Sequence, residues 1–91
     1  MAIRVEFYGI ARQRAGVGEV RLELESHQAP LADVLRRLAE RLPALGHELL
    51  IQGRLHESLM ANLDGQRFVS DPATPIGDGQ SLLILSADAG G

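Results

Sequence analysis

Pro30-Leu31-Ala32-Asp33-Val34-Leu35-Arg36-Arg37-Leu38-Ala39-Glu40-Arg41-Leu42 is the stretch on which the fold turns. Leu31, Val34, Leu35, Leu38 and Leu42 recur at intervals of three and four, while Asp33, Arg36, Arg37 and Glu40 occupy the other side. This spacing predicts one amphipathic helix over residues 30–42. Pro30 suits a first turn, where its missing N–H is not needed, and Pro43 disfavours helical geometry at Leu42, so both ends have a physical cause. On either side of the helix the period changes from 3.6 to 2.

Towards the N-terminus, Ile3, Val5 and Phe7 alternate with Arg4, Glu6 and Tyr8, which predicts a strand over 2–8. Val20, Leu22 and Leu24 alternate in the same way with Glu19, Arg21, Glu23 and Glu25, giving a second strand antiparallel to the first. The connection 9–18 reads as a flexible hairpin loop. Towards the C-terminus, 58–63 reads as a third strand, Asp64-Gly65 as a hairpin turn and 66–69 as a short return strand. Pro72 and Pro75 argue against regular strand, Gly77-Asp78-Gly79 marks a turn, and 81–86 forms the last strand. The segment 44–53 has room for a short second helix without fixing its place.

Strands grouped around a single helix imply an α+β fold, a sheet of about five strands with the helix across one face. Residues 1–86 form the domain and 87–91 a flexible tail. In the last strand Leu82 and Ile84 point to one face and Leu83 and Leu85 to the other. One helix covers only one face, so the second reads as a partner surface, with Tyr8 and Phe68 as companions to Leu83 and Leu85. Two other readings stay open: the segment 43–57 covers that face, or the strand is central and fully buried.

With 91 residues, 45% of them hydrophobic and 23% charged, the chain suits one folded domain with little room to enclose an active-site cavity. It has no Cys, which excludes disulfides, thiolate metal sites and a persulfide held on the chain itself. Its nine basic residues are all Arg and the formal net charge is −3, so nucleic acid is not an expected partner. No apolar stretch approaches the roughly 20 residues of a membrane span, and the N-terminus lacks a basic segment followed by an apolar run, so the expected location is cytoplasmic.

Enzymatic motifs are weak. Gly16-Val17-Gly18-Glu19-Val20-Arg21 joins two predicted strands, whereas a dinucleotide fingerprint joins a strand to a helix. His27, His47 and His56 lack the short spacing of a metal site, so no metal is expected. Glu19, Glu23 and Glu25 occupy the polar face of a strand, where solvation explains them. The terminal Gly90-Gly91 is a different kind of signal: without Cβ atoms it fits a channel too narrow for side chains and leaves a carboxylate free to react. A frayed end is the alternative.

Taken in order, Ile3-Arg4-Val5-Glu6-Phe7-Tyr8, Arg14-Ala15-Gly16, the helix Leu31 to Leu38, Asn62-Leu63-Asp64-Gly65-Gln66-Arg67-Phe68-Val69, Pro75-Ile76-Gly77-Asp78-Gly79 and Ala89-Gly90-Gly91 resemble the bacterial ubiquitin-like sulfur carriers. That family includes the small subunit of molybdopterin synthase and the carrier of thiazole biosynthesis, and the likeness spans all but about 43–57. The resemblance implies a ubiquitin-like β-grasp fold. It also implies that an activating enzyme uses ATP to adenylate the Gly91 carboxylate, a sulfur donor converts it to a thiocarboxylate, and an acceptor such as a molybdopterin synthase large subunit withdraws the sulfur. Gly91 is then a cosubstrate within a tail formed by Asp88, Ala89 and Gly90, and the ATP site and any metal belong to partners. Many family members carry Pro shortly before the diglycine; this chain has Asp88 in that segment, which calls for an Arg or Lys in the partner's channel. Molybdopterin biosynthesis is the expected pathway. The thiazole pathway, another sulfur pathway, a protein modifier and a β-grasp interaction module without transfer chemistry are the alternatives.

Overall fold

A computed structural model of the chain describes residues 1–51 and 54–87, the side chains of 47–51 excepted. In chain order its elements are β1 (Ala2–Phe7), α1 (Gly9–Ala15), β2 (Glu19–Glu23), β3 (Gln28–Pro30), α2 (Leu31–Arg41), α3 (Pro43–Leu49), β4 (Leu50–Ile51), β5 (Arg54–Leu55), β6 (Leu59–Leu63), β7 (Arg67–Val69), β8 (Pro75–Gly77) and β9 (Ser81–Ser86). Five strands form one mixed sheet in the order β2-β1-β9-β6-β7. The first and last long strands, β1 and β9, pair in parallel at its centre, and the other neighbours are antiparallel. With α2 laid across one face, this is the ubiquitin-like β-grasp architecture, an α+β fold.

The period-two pattern sorts the sheet into two faces. Ile3, Val5, Phe7, Leu22, Ala61, Leu63, Leu82 and Ile84 are buried on the inner face against Leu31, Val34, Leu35 and Leu38 of α2. Leu45 of α3 and Ile76 of β8, both fully buried, join the same core. Deeply buried branched and aromatic side chains each contribute about 1.5–3 kcal/mol relative to exposure, so this layer is the main source of stability.

Three sequence readings are corrected. The segment 9–18 is no flexible loop: Gly9–Ala15 is helical, with Ala11 buried in the core. The helix stops at Gly16, whose φ of 77° is the left-handed conformation that glycine adopts without a steric penalty, and the Gly16 N–H donates to the Arg12 carbonyl at 3.0 Å. Second, Pro75 opens a short strand, β8, which pairs antiparallel with β3 so that Pro30 and Pro75 stand opposite each other at the ladder's end. A proline is tolerated there because its missing N–H removes no interior ladder bond. Third, Leu24 and Glu25 fall outside β2, and Tyr8 outside β1. The short second helix left unplaced is α3, which begins at Pro43.

Pro30 precedes α2 as its N-cap, and no side chain caps that end. Its first donors are met instead by the proline-rich segment: Leu31 N–H donates to Thr74 O at 2.8 Å and Ala32 N–H to Pro72 O at 3.0 Å. The same segment therefore holds the helix to the sheet. At that end of the sheet Asp64, with a positive φ of 58°, accepts from Ser81 N–H at 2.8 Å and from Gln80 Nε2 at 3.0 Å, tying the β6–β7 turn to the start of β9. Among the described residues no helix is long and apolar enough to cross a membrane.

Candidate functional site

The opposite end of β9 leads out of the domain. Ala87, the last described residue, donates its N–H to Ser58 O at 2.8 Å, which holds the chain beside the start of β6. Ser86 is buried, and its Oγ accepts from Ile10 N–H at 3.1 Å, linking the strand to the N-terminus of α1. Gly9 is required at this junction. Its φ is 59°, and a Cβ there would stand 3.1 Å from Ser86 Oγ. An open cleft of about 480 Å³ borders the exit, lined by Ile10, Arg14, His56, Glu57, Ser58 and Ala87. His56 Nδ1 accepts from Ser58 N–H at 2.9 Å and lies 2.7 Å from Ser58 Oγ, so the ring is held by its own turn. The tail residues Asp88, Ala89, Gly90 and Gly91 lie outside the described residues.

Pairing register lays out the outer face of the sheet. One row across the strands is Phe68, Asn62, Leu83, Glu6 and Glu19. The next row towards the chain exit pairs Met60 with Leu85, and Tyr8 follows β1 beside it, its N–H donating to Ile84 O at 3.0 Å. On the far side, Ser81, Arg4 and Arg21 form a polar row. Successive residues on one face of a strand are about 6.6–6.8 Å apart, so the Leu85 row lies within one such step of Ala87.

The four residues singled out as partner-binding, Tyr8, Phe68, Leu83 and Leu85, all fall on this face. Tyr8 is 41% exposed and Phe68 63%, while Leu83 and Leu85 are half-buried. Of the segment 43–57, Leu45 of α3 turns into the inner core and so does not lie over them. The last strand is central, as one alternative had it, but only its inner side is fully covered. An aromatic–aliphatic patch with a polar margin has the composition of a recognition surface.

Sequence reading missed Met60 and Asn62, which complete the patch. The alternation of Leu59, Ala61 and Leu63 as buried inner positions puts both on the outer face, so the period-two signal was present. The burial of Asn62 was not readable from it: the residue is only 8% exposed, and Oδ1 is covered without a hydrogen-bond partner among the described residues. No three His, Asp or Glu side chains gather as metal ligands among the described residues.

No protein-family pattern matches the sequence, and no curated protein matches it. Solved structures do. The chain is similar to SAMP1 from Haloferax volcanii, with 20% identity, a TM-score of 0.81, and all of both chains covered. It is also similar to a chain of the BexX/CysO complex of Amycolatopsis orientalis, with 24% identity, a TM-score of 0.72, and 98% of this chain and 99% of that chain covered. A third similarity is to a chain of the complex of subunits 1 and 2 of the molybdopterin-converting factor of Helicobacter pylori, with 19% identity, a TM-score of 0.64, and all of both chains covered. At these identities the likeness establishes the shared fold over the whole chain.

Proposed function

We propose that this chain is a ubiquitin-like sulfur carrier that reacts through the carboxylate of Gly91. The observation that carries the reading is the path of the main chain. The central strand β9 runs past an apolar outer face and leaves the sheet at Ala87, four residues before Gly91. A partner that docks on Tyr8, Phe68, Leu83 and Leu85 has the tail within reach of its own active site. Two of the similar structures are complexes of a protein of this fold with another protein, BexX in one and subunit 2 in the other, which supports a partner-dependent role.

The chemistry follows from the tail. A carboxylate is a poor electrophile, so one Gly91 oxygen attacks the α-phosphorus of ATP in the activating enzyme and pyrophosphate leaves. A sulfide-level nucleophile from the sulfur donor then attacks the acyl carbon and displaces AMP, leaving a C-terminal thiocarboxylate. An acceptor enzyme draws the sulfur from that group. The chain has no Cys, so the sulfur it carries has no side chain to reside on. Gly90 keeps the approach narrow, and Asp88 meets a cationic side chain in the partner's channel. Molybdopterin biosynthesis is the pathway we favour, with subunit 2 of the Helicobacter pylori complex as the type of acceptor.

SAMP1, which other similar structures name as small archaeal modifier protein 1, supports a second reading, in which the activated Gly91 is joined to an amine on another protein. One assay separates the two. The chain is incubated with ATP, sulfide and the carboxyl-adenylating enzyme of its host, and the products are fragmented in a mass spectrometer. A sulfur-for-oxygen exchange localised to Gly91, absent when Gly91 is deleted, supports the carrier. Gly91 bonded to lysines of other proteins without that exchange supports the modifier. A chain left unmodified by an enzyme that loads another carrier contradicts both.

A further inference from the structure

Asn62 does not fit the role of a core residue. It stands at the centre of the outer face, between Phe68 and Leu83 in the register of the sheet, and points away from α2. Nevertheless it is 8% exposed, with Oδ1 covered and without a hydrogen-bond partner among the described residues. Leaving a buried amide oxygen unpaired is destabilising, whereas an apolar side chain of similar shape at the same place carries no such penalty. The fold gains nothing visible from an amide here.

The same row continues past Leu83 to Glu6 and Glu19. Among the described residues neither carboxylate is paired with a cation. The arginines of the neighbouring row are engaged elsewhere: Arg4 donates to Ser81 Oγ at 3.4 Å and Arg21 pairs with Glu23 at 3.2 Å. The outer face is thus graded along one row, from an aromatic ring through an unsatisfied amide and a leucine to two open carboxylates.

We infer that this row, Asn62, Leu83, Glu6 and Glu19, selects the protein partner of the outer face: the partner brings a hydrogen-bond donor to Asn62 and Arg or Lys side chains to Glu6 and Glu19. The inference rests on the carrier reading above and adds the chemistry of the partner to it. On the side of the edge strand the donor meets Phe68, which stands opposite Asn62 in the register and is 63% exposed. Apolar contact at Leu83 excludes water from the new bond, which strengthens it. The carboxylates at the rim act mainly on the rate of encounter and on rejection of acidic competitors. A partner with an apolar but donor-free surface leaves the amide buried and unpaired, so Asn62 discriminates against it.

The test uses the full chain and the purified adenylating enzyme of the host. Binding is measured by calorimetry without ATP; loading is measured by mass spectrometry with ATP and sulfide. Asn62→Leu is expected to melt at or above the wild-type temperature while its Kd for the enzyme rises about tenfold, and its loading rate at saturating carrier stays that of wild type. The double variant Glu6→Gln, Glu19→Gln, at sites that do not form the core, is expected to weaken binding and flatten its dependence on salt. A large fall in melting temperature for Asn62→Leu assigns the amide to the fold and overturns the inference, as does an unchanged Kd in both variants. If wild type is loaded but these variants bind as wild type does, the carrier reading stands and the inference fails. If wild type binds in a manner sensitive to Asn62 yet is never loaded, the selecting row stands and the carrier reading fails. Absence of both binding and loading overturns both.

Discussion

The two faces of the sheet are built from the same strands and differ in what completes them. On the inner face Ile3, Val5, Phe7, Leu82 and Ile84 meet α2 and are at most 1% exposed. On the outer face Glu6, Leu83 and Leu85 alternate with them along the same backbone and no element covers them fully. The inner face is complete within the chain. Among the described residues the outer face keeps apolar surface, an amide oxygen without a partner and carboxylates without a cation, which is the surface proposed for docking. In a domain this small most of the core is needed for folding, so recognition falls to the surface that α2 does not reach.

Substitutions that remove equal side-chain volume from the two faces put this contrast under strain. Phe7→Ala, on the inner face, is expected to cost about 3–5 kcal/mol and to abolish or nearly abolish the folded state, read by thermal or denaturant unfolding. A loss under 1 kcal/mol would show that the inner face is not the core. At the chain exit, Gly9→Ala is expected to cost roughly 1–2 kcal/mol because φ is positive there and Ser86 Oγ lies close. Retained stability with a shifted Ser86 would show the junction to be more tolerant than its geometry implies. Phe68→Ala is expected to change stability least, by less than about 1 kcal/mol, since the ring is mostly in solvent. On the proposed partner surface Phe68 lies at the end of the row, so its truncation is expected to weaken binding by about 1 kcal/mol, read as a rise in Kd.

Most of the sheet was legible in the sequence because period-two alternation is a local signal. Ile3, Val5 and Phe7 identified β1, and Leu82 and Ile84 identified the inner side of β9, without knowledge of their neighbours. Helix α2 was legible for the same reason, its apolar residues recurring over three turns. Helix α1 was not. Gly9–Ala15 spans only about two turns, and its buried residue is the small Ala11 while the larger Ile10 is 41% exposed, so hydrophobicity pointed to the wrong side. Strands β3 and β8 escaped because each is three residues long and one opens on Pro75; their pairing depends on tertiary placement, which no local pattern encodes.

The outer face shows the same division. Tyr8, Phe68, Leu83 and Leu85 were found as apolar residues out of phase with the core, and strand order then brought them to one surface. Asn62 needed more than alternation. Its burial comes from its position between β7 and β9, which lie six and twenty-one residues away along the chain at Phe68 and Leu83. Asp88, Ala89, Gly90 and Gly91 remain a reading of the sequence, supported by the direction in which β9 leaves the sheet.

The most direct test of docking through the outer face is the loading of a Leu83→Arg variant by the host's adenylating enzyme, measured at carrier concentrations below saturation beside its melting temperature. Leu83 is half-buried in the outer row, and the substitution leaves the sequence of the tail from Ala87 to Gly91 unchanged. The expected result is a folded protein with near-wild-type stability whose sulfur loading falls by about a hundredfold, because the Arg side chain removes the apolar contact at Leu83 and occupies the Glu6 carboxylate beside it, which a partner's cation would otherwise meet. Loading at the wild-type rate by a folded Leu83→Arg chain would contradict it, because the enzyme would then be reading the tail without the face beside it.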